Sequence, residues 1–356
     1  MNTLGVSAGG PVSGRVVRGR RDGWSVRVNG RSFFVGLVLA VVLACVVVVT
    51  LTSGEYPLSV AEVLRALAGQ GDSGADFIVN TLRLPRVLTA VLVGAALAVS
   101  GAVMQTLTRN PLASPDIIGF THGSASGALV VIIVLNGSMA QVASGALLGG
   151  LVTAIAMYLL AFTRGVQGFR FVLVGIGIAA MALALNSYLI TQASLQDALA
   201  AQGWLIGSIN GRGWDHAVPV GLAVAVLVPL ALHHGRRLGM LELGDDAAKA
   251  LGVGVQRSRL VLIAVSVALA AVATAAAGPI SFVALAAPQL TRKITRVPGA
   301  SLIPSALLGA LLLAGGDLAV QRLFPTSQLP VGTATGTIGG LYMIWLLARE
   351  WRRGRP

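Results

Sequence analysis

The side chains that could do chemistry in this chain of 356 residues argue against an enzyme. Its two lysines follow Ala248 and Arg292 rather than glycine, so the Gly-Lys step of a phosphate-binding P-loop is missing. None of its four histidines precedes a glutamate, which excludes the zinc-protease helix signature. Asp245-Asp246 has no second acidic pair nearby that would complete a magnesium site. We therefore expect no catalytic residue, no metal site and no cofactor bound directly by the chain.

The acidic residues also argue against one class of transporter. All 13 fall in tails, in loops or at the ends of apolar runs, and Asp317 lies closest to the middle of such a run. Carriers driven by protons or ions usually bury carboxylates in mid-span, because coupling needs a titratable or coordinating group there. An ion-coupled secondary transporter is thus the alternative from a different functional class. If the chain moves a solute, the energy is expected to enter from outside the chain.

One internal stretch is charged where its surroundings are apolar. Residues 241–254 carry four charged side chains between two long hydrophobic runs. Such a short polar helix indicates a surface that a soluble partner protein can hold. Leu241 and Leu251 are interpreted as the side chains that fill an apolar groove of that partner.

A second motif, Arg83-Leu-Pro-Arg86, precedes an apolar run. Pro85 suits the first turn of a helix, where its missing N–H leaves no hydrogen bond unmade. The two arginines could receive carboxylates of a partner protein. They could equally anchor the helix at a membrane interface, and the sequence leaves both readings open.

Uncharged polar residues are few inside the apolar runs, and Gln105, Asn186 and Ser187 are the main ones. They could line a path for a large polar solute. Hydrogen bonding between helices explains them equally well, so the sequence does not separate the two roles.

The elements that carry these residues are expected to be membrane-spanning helices. Hydrophobic residues make up 55% of the chain, charged residues 11%, and the mean hydropathy is +0.82. Apolar runs of roughly 20 residues, enough to cross the bilayer, recur along the chain. The fold class is therefore an all-α polytopic membrane protein with about ten transmembrane helices. The predicted spans are 33–52, 86–106, 117–135, 141–162, 170–192, 214–232, 259–277, 279–291, 301–321 and 330–348.

The distribution of positive charge orients these spans. A net charge of +13 would suggest nucleic acid in a soluble protein, but here 21 of the 26 Lys and Arg residues fall on one side if ten spans alternate. This pattern favours two spans around Gly278-Pro279 rather than one, with both termini in the cytoplasm of a cell-membrane protein. Residues 1–31 are then a flexible basic cytoplasmic tail, 32–349 the membrane domain, and 350–356 a second basic tail. No nucleic-acid partner is expected.

The motifs together resemble FecCD-type permeases, the membrane subunits of ATP-driven (ABC) importers for iron–siderophore complexes, haem and cobalamin. The resemblance covers residues from about 82 to 348 in order and spacing. It rests on Arg83-Leu-Pro-Arg86, Arg109-Asn-Pro-Leu-Ala113, 244–252, 278–288 and Leu329-Pro-Val-Gly332. It implies the type II ABC importer permease fold. It also implies four kinds of partner: lipid, a second homologous permease (a heterodimer), two cytosolic ATP-binding cassette subunits, and an extracytoplasmic substrate-binding protein.

The resemblance assigns residues to three roles. The ATPase-coupling residues in 241–254 are Leu241, Glu242, Gly244, Asp245, Asp246, Ala248, Leu251 and Gly252. The residues that receive the binding protein are Arg83, Arg86 and Arg322, although Gln321 stands where the family often has the third arginine. The cytoplasmic gate would include Asn110, Leu112, Gln167 and Gly168. One departure is Gln289, where the family commonly has histidine; glutamine cannot titrate near neutral pH.

The implied function is import of an iron–siderophore complex, with ferric enterobactin or a similar catecholate as the expected cargo. The chain would contain no ATPase site, and ATP with Mg²⁺ would bind to the partner ATPase. Another iron chelate, haem or cobalamin remain alternative cargoes on the same scaffold.

Overall fold

In the residues that the structure describes, the membrane domain consists of helices joined by turns and loops. The computed structural model describes residues 15–18, 25–116, 118–161, 168–297, 299–324 and 329–353. The helices in these ranges are α1 Gly30–Thr52, α2 Val60–Leu67, α3 Ser73–Asp76, α4 Leu84–Thr108, α5 Phe120–Leu129, α6 Met139–Ala161, α7 Gly168–Gln192, α8 Leu195–Ile206, α9 Trp214–His233, α10 Gly235–Glu242, α11 Asp245–Ala250, α12 Val255–Ala277, α13 Val283–Thr295, α14 Leu302–Leu323 and α15 Val331–Arg353. Two π-helical segments, Phe77–Arg83 and Val130–Val134, adjoin α4 and α5.

Seven helices of the described residues are long and apolar enough to cross a membrane. They correspond to the predicted first, second, fourth, fifth, sixth, seventh and ninth spans. The remaining three predicted spans coincide with the apolar segment Phe120–Val134, with α13 and with α15. The prediction of an all-helical, multi-pass membrane protein is confirmed.

The break at Gly278-Pro279 is longer than the sequence suggested. Gly278 and Phe282 both have positive φ, +73° and +69°, so the backbone between them cannot be helical. Helix α13 therefore begins at Val283, four residues later than the predicted start at 279. It has only 13 residues, about 20 Å at 1.5 Å per residue, and it is shorter than the other spans.

The predicted N-terminal tail contains two short strands, β1 Arg15–Arg18 and β2 Ser25–Val28. They pair antiparallel, with Arg15 opposite Val28. Flexibility of this tail stays a prediction. At the other end, α15 continues to Arg353, so part of the predicted C-terminal tail is helical.

Helix α4 lies at the centre of the bundle, where it contacts α9, α12, α13 and α14. Its contact with α13 is a backbone contact, because a Cβ atom on Gly101 would lie 1.7 Å from the Ala284 carbonyl oxygen. Pro288, one turn after Ala284, has no N–H to donate to that carbonyl within α13. The 25 residues of α4 span about 37 Å, so its two ends lie on opposite sides of the bundle.

Candidate functional site

The first group of predicted residues lies on α10 and α11, between the spanning helices α9 and α12. Leu238 and Leu241 are three residues apart on α10, and both are buried in the core of the bundle. Gly244 separates the two helices with φ +121°, and Gly252 follows α11 with φ +79°. Both angles favour glycine, which explains why glycine occupies the two turns of this segment.

Asp245, the first residue of α11, forms ion pairs with two arginines from distant parts of the chain. Its Oδ1 accepts hydrogen bonds from Nη2 of Arg109 at 2.9 Å and from Nη2 of Arg259 at 2.7 Å. Burial acts to raise the pKa of Asp245, but the hydrogen bond and charge of Arg259, with the charges of Arg109 and Lys249, outweigh it and lower that pKa. We call Arg109, Asp245 and Arg259 the Asp245 cluster.

The residues exposed on the outer side of α10 and α11 are not all those predicted to contact the ATPase. Leu241 is 1% exposed and Ala248 is fully buried, so the interpretation of Leu241 as a side chain filling a partner's groove is wrong. Its position on the inner side of α10 explains the difference. Leu243 and Leu251 are exposed, and the Asp246 side chain is fully exposed beside Lys249. Leu243 is not among the predicted residues. In a helix as short as α10, sequence spacing does not show which of Leu241 and Leu243 faces outward.

The predicted gate residues Asn110 and Leu112 lie in one turn directly after α4. The Asn110 side chain accepts a hydrogen bond from the Leu112 backbone N–H at 2.9 Å. Gln289 of α13 donates from Nε2 to the Pro111 carbonyl oxygen at 2.6 Å. This bond gives Gln289 a structural role that the sequence could not assign. Gly168 is the first residue of α7, and Gln167 lies outside the described residues.

At the opposite end of α4, Arg86 is committed to an internal ion pair. Its Nε and Nη2 donate to the two carboxylate oxygens of Asp317 on α14, at 3.0 and 2.8 Å. Nη2 also contacts Asn210 Oδ1 at 2.6 Å, and Gln321 Nε2 donates to Asp317 Oδ2 at 2.7 Å. We call Arg86, Asn210, Asp317 and Gln321 the Asp317 cluster.

The other two arginines predicted to receive a partner lie near this cluster. Arg83 is half-buried and donates to the carbonyl oxygens of Leu51 and Tyr56, at 2.7 and 2.6 Å. Arg322 is exposed, and its guanidinium contacts the Ser53 hydroxyl. Arg86 is thus the most strongly engaged of the three, and Arg322 the most accessible.

Two of the three polar residues predicted inside the spans form hydrogen bonds between helices. Gln105 Nε2 donates to the Leu285 carbonyl oxygen at 3.0 Å, which links α4 to α13. Ser126 donates to Asn186 Oδ1 at 2.7 Å, which links α5 to α7, and Ser187 bonds within its own helix. Of the two roles that the sequence left open, these contacts favour hydrogen bonding between helices for Gln105 and Asn186, and they leave the role of Ser187 open.

The charged groups of the site are therefore concentrated at the two ends of α4. In the ranges that the structure describes, no group of three or more His, Cys, Asp or Glu side chains could hold a metal ion. Such an arrangement suits contacts with partners at both ends rather than bond-making chemistry.

Known proteins with similar sequences and structures are membrane permeases. The model of the FecCD transport family matches residues 28–349. The ferric enterobactin transport system permease protein FepG of Escherichia coli is 45% identical over 317 residues, which cover 88% of this chain and 96% of FepG. The achromobactin transport system permease protein CbrC of Dickeya dadantii is 37% identical over 319 residues, 89% of this chain and 91% of CbrC.

One solved structure of an ABC transporter has a similar fold. It is an inward-facing conformation of a protein assigned to the metal-chelate type of ABC transporters. It superposes with a TM-score of 0.78 at 29% identity, over 89% of this chain and 99% of that chain. Because the family model and these relatives match nearly the whole membrane domain, the chain belongs to the FecCD transport family.

Proposed function

We propose that the chain is a permease subunit of an ATP-driven importer that carries an iron–siderophore complex across the cell membrane. The observation that carries this proposal is the near full-length match to FepG, whose name specifies ferric enterobactin. Ferric enterobactin or a similar catecholate complex is therefore the proposed cargo. CbrC, whose name specifies achromobactin, supports the wider class of siderophores.

The proposed orientation places the Asp245 cluster in the cytoplasm and the Asp317 cluster outside. It rests on the positive-inside rule, since 21 of the 26 Lys and Arg residues then lie in the cytoplasm with both termini. The chain has no P-loop, so ATP and Mg²⁺ are bound by two cytosolic ATPase subunits. A second, homologous permease completes the pathway as a heterodimer, and an extracytoplasmic binding protein delivers the cargo.

The exposed and half-buried residues at each end are the proposed contacts. The cytosolic ATPase contacts α10, α11 and the adjacent turns through Glu242, Leu243, Asp246 and Leu251. On the outer side, Arg322 and Arg83 receive acidic residues of the binding protein. Arg86 supports that surface from beneath through Asp317, and the turn 110–112 forms part of the cytoplasmic gate.

The test is reconstitution of uptake. The chain is co-expressed with a neighbouring-gene ATPase, a second permease and a binding protein, and the purified complex is placed in proteoliposomes. We expect the ATPase and second permease to co-purify, and radiolabelled ferric enterobactin to accumulate only with ATP. Uptake that persists without the ATPase and collapses with a protonophore would instead identify a secondary transporter. ATP-driven uptake of haem or cobalamin, but of no ferric siderophore, would overturn the proposed cargo.

A further inference from the structure

Two adjacent aspartates on α11 have different surroundings. The Asp245 side chain is 39% exposed and forms its pairs with Arg109 and Arg259, which are distant in sequence. The Asp246 side chain is 100% exposed and pairs with Lys249 at 3.3 Å, one turn along the same helix. Of the two, Asp246 is the one fully accessible to a partner protein, so we expect the two carboxylates to have different roles.

The partners of Asp245 belong to two spanning helices. Arg109 is the C-cap residue of α4 in the left-handed conformation, and its Nε also approaches the Leu241 carbonyl oxygen of α10 at 3.3 Å. Arg259 lies in the second turn of α12, and its side chain is 8% exposed. Asp245 therefore joins α11 to both α4 and α12, while Arg109 joins α4 to α10.

Arg109 also begins the turn that contains the proposed gate residues. The Asn110 backbone N–H bonds back to the Gln105 carbonyl oxygen, and Asn110 Oδ1 accepts from Leu112. The next residue, Pro111, is held from the other side by Gln289 of α13, itself 6% exposed. The turn 109–112 is thus joined to α11 at one end and to α13 at the other.

A second contact runs parallel to this one. Arg292 on the last turn of α13 donates to the Thr106 hydroxyl of α4 at 3.3 Å and interacts electrostatically with Glu242 of α10. Hydrogen-bonded ion pairs therefore connect α11 to the end of α4 and to α12, and the opposite charges of Glu242 on α10 and Arg292 on α13 attract each other. Arg109, the first residue of the turn 109–112, is therefore in direct contact with both α10 and α11.

We propose that Asp245 is the residue that transmits movement of α10 and α11 to the turn 109–112, whereas Asp246 contacts the ATPase. This inference rests on the proposed function, because it assumes an ATPase at α10 and α11. The exposed pair of Asp245 with Arg109 contributes little to stability. In Asp245→Asn the side-chain oxygen still accepts a hydrogen bond from the buried Arg259, so loss of the charge should uncouple ATP hydrolysis from uptake without unfolding the permease.

The experiment compares Asp245→Asn with Asp246→Asn in the complete reconstituted importer. Three quantities are measured: ATPase recovered with the permease, ATP hydrolysed, and ferric siderophore taken up. For Asp245→Asn we expect normal ATPase recovery and hydrolysis, with uptake per ATP reduced about fivefold or more. Asp246→Asn should lower ATPase recovery and leave uptake per ATP unchanged for the complexes that remain.

Further variants make the outcome decisive. Asp245→Glu keeps the charge and should recover part of the coupling, and Arg109→Gln replaces Asp245→Asn if the latter does not fold. Equal loss of ATPase recovery in Asp245→Asn and Asp246→Asn would make Asp245 a docking contact and overturn the inference. Wild-type uptake per ATP in both Asp245→Asn and Arg109→Gln would overturn it as well. Failure of the wild-type importer to recruit an ATPase or take up a siderophore would contradict the proposed function itself.

Discussion

Helix α4 carries an arginine at each end, and each arginine pairs with an aspartate from a distant part of the chain. At one end, Arg86 and Asp317 have side chains that are 25% and 3% exposed, and they meet through two hydrogen bonds. At the other end, Arg109 and Asp245 are 45% and 39% exposed and meet through one. The same two residue types thus occupy a buried, bidentate pair and a half-exposed, single contact.

The difference in burial assigns the two pairs different physical roles. Removal of one partner from a buried ion pair leaves an unpaired charge and typically costs about 3–5 kcal/mol. A pair as exposed as Arg109 and Asp245 contributes roughly 0–1 kcal/mol. The Asp317 cluster therefore fixes α4 against α14. The Arg109–Asp245 pair stabilises little, so its role is to link α11 to the end of α4 rather than to hold the fold together.

The largest effect is expected from a change that disturbs both ends of α4 together. Gly101→Val places a side chain against the Ala284 backbone, where even a Cβ would lie 1.7 Å from the carbonyl oxygen. Because both contacting groups belong to helix backbones, α4 and α13 must separate. We expect the yield of monodisperse protein in detergent, measured by size-exclusion chromatography, to fall to near zero.

Gly36→Val is the matched control for that experiment. Gly36 also lies inside a spanning helix, but a Cβ atom added to it would meet nothing within 4 Å among the described residues, so the yield should be near that of the wild type. Equal yields for the two variants would show that the α4–α13 contact adjusts easily. Helix α4 could then shift against α13, and its two ends could not be compared as parts of one rigidly held helix.

The next largest effect concerns the Asp317 cluster alone. Asp317→Asn leaves Arg86 without its counter-ion in a largely buried position, and the free energy of unfolding should fall by about 3 kcal/mol. Asp215→Asn is the control, because Asp215 is at the same end of the bundle and its side chain is 72% exposed. The midpoint of thermal unfolding in detergent measures both. A shift as small for Asp317→Asn as for Asp215→Asn would mean that the two ends of α4 do not differ in stability.

The smallest effect is that of pH on the Asp245 cluster. The pKa of Asp245 is lowered in the folded protein. The ion pairs of its carboxylate therefore stabilise the fold fully above the ordinary aspartate pKa of about 3.9, and this stabilisation is lost only as the pH falls through the lower pKa of the folded state. Uptake per ATP should therefore be constant from about pH 5.5 to pH 8. A midpoint near pH 6 in the wild type that is absent from Asp245→Asn would contradict the lowered pKa.

Much of the fold was predictable because it depends on local sequence. Long apolar runs predict the spanning helices that the structure contains, whereas the orientation inferred from the uneven distribution of arginine stays a prediction. The start of α13 at Val283 was not predictable from the same pattern. It depends on positive φ at Phe282, a residue whose type does not favour that conformation.

The roles of single charged residues were harder to predict, because they depend on pairing across the fold. Arg86 and Asp317 are 231 residues apart in sequence, and Arg109 and Asp245 are 136 apart. The family resemblance assigns Arg83 and Arg86 to a docking surface, and nothing in 83–86 reveals that Arg86 already has a partner. Gln289 is similar, since its bond to Pro111 joins residues 178 apart.

The most direct test of the contrast between the two ends of α4 is to replace the arginine at each end by glutamine. Arg86→Gln and Arg109→Gln change the same residue type on the same helix, and each variant is assayed for thermal unfolding and for uptake per ATP. We expect Arg86→Gln to lower the unfolding temperature by several degrees and to leave uptake per ATP unchanged in the folded fraction. Arg109→Gln should lower uptake per ATP and leave the unfolding temperature unchanged. Equal shifts in both properties for the two variants would show that the two ends of α4 do not differ in role.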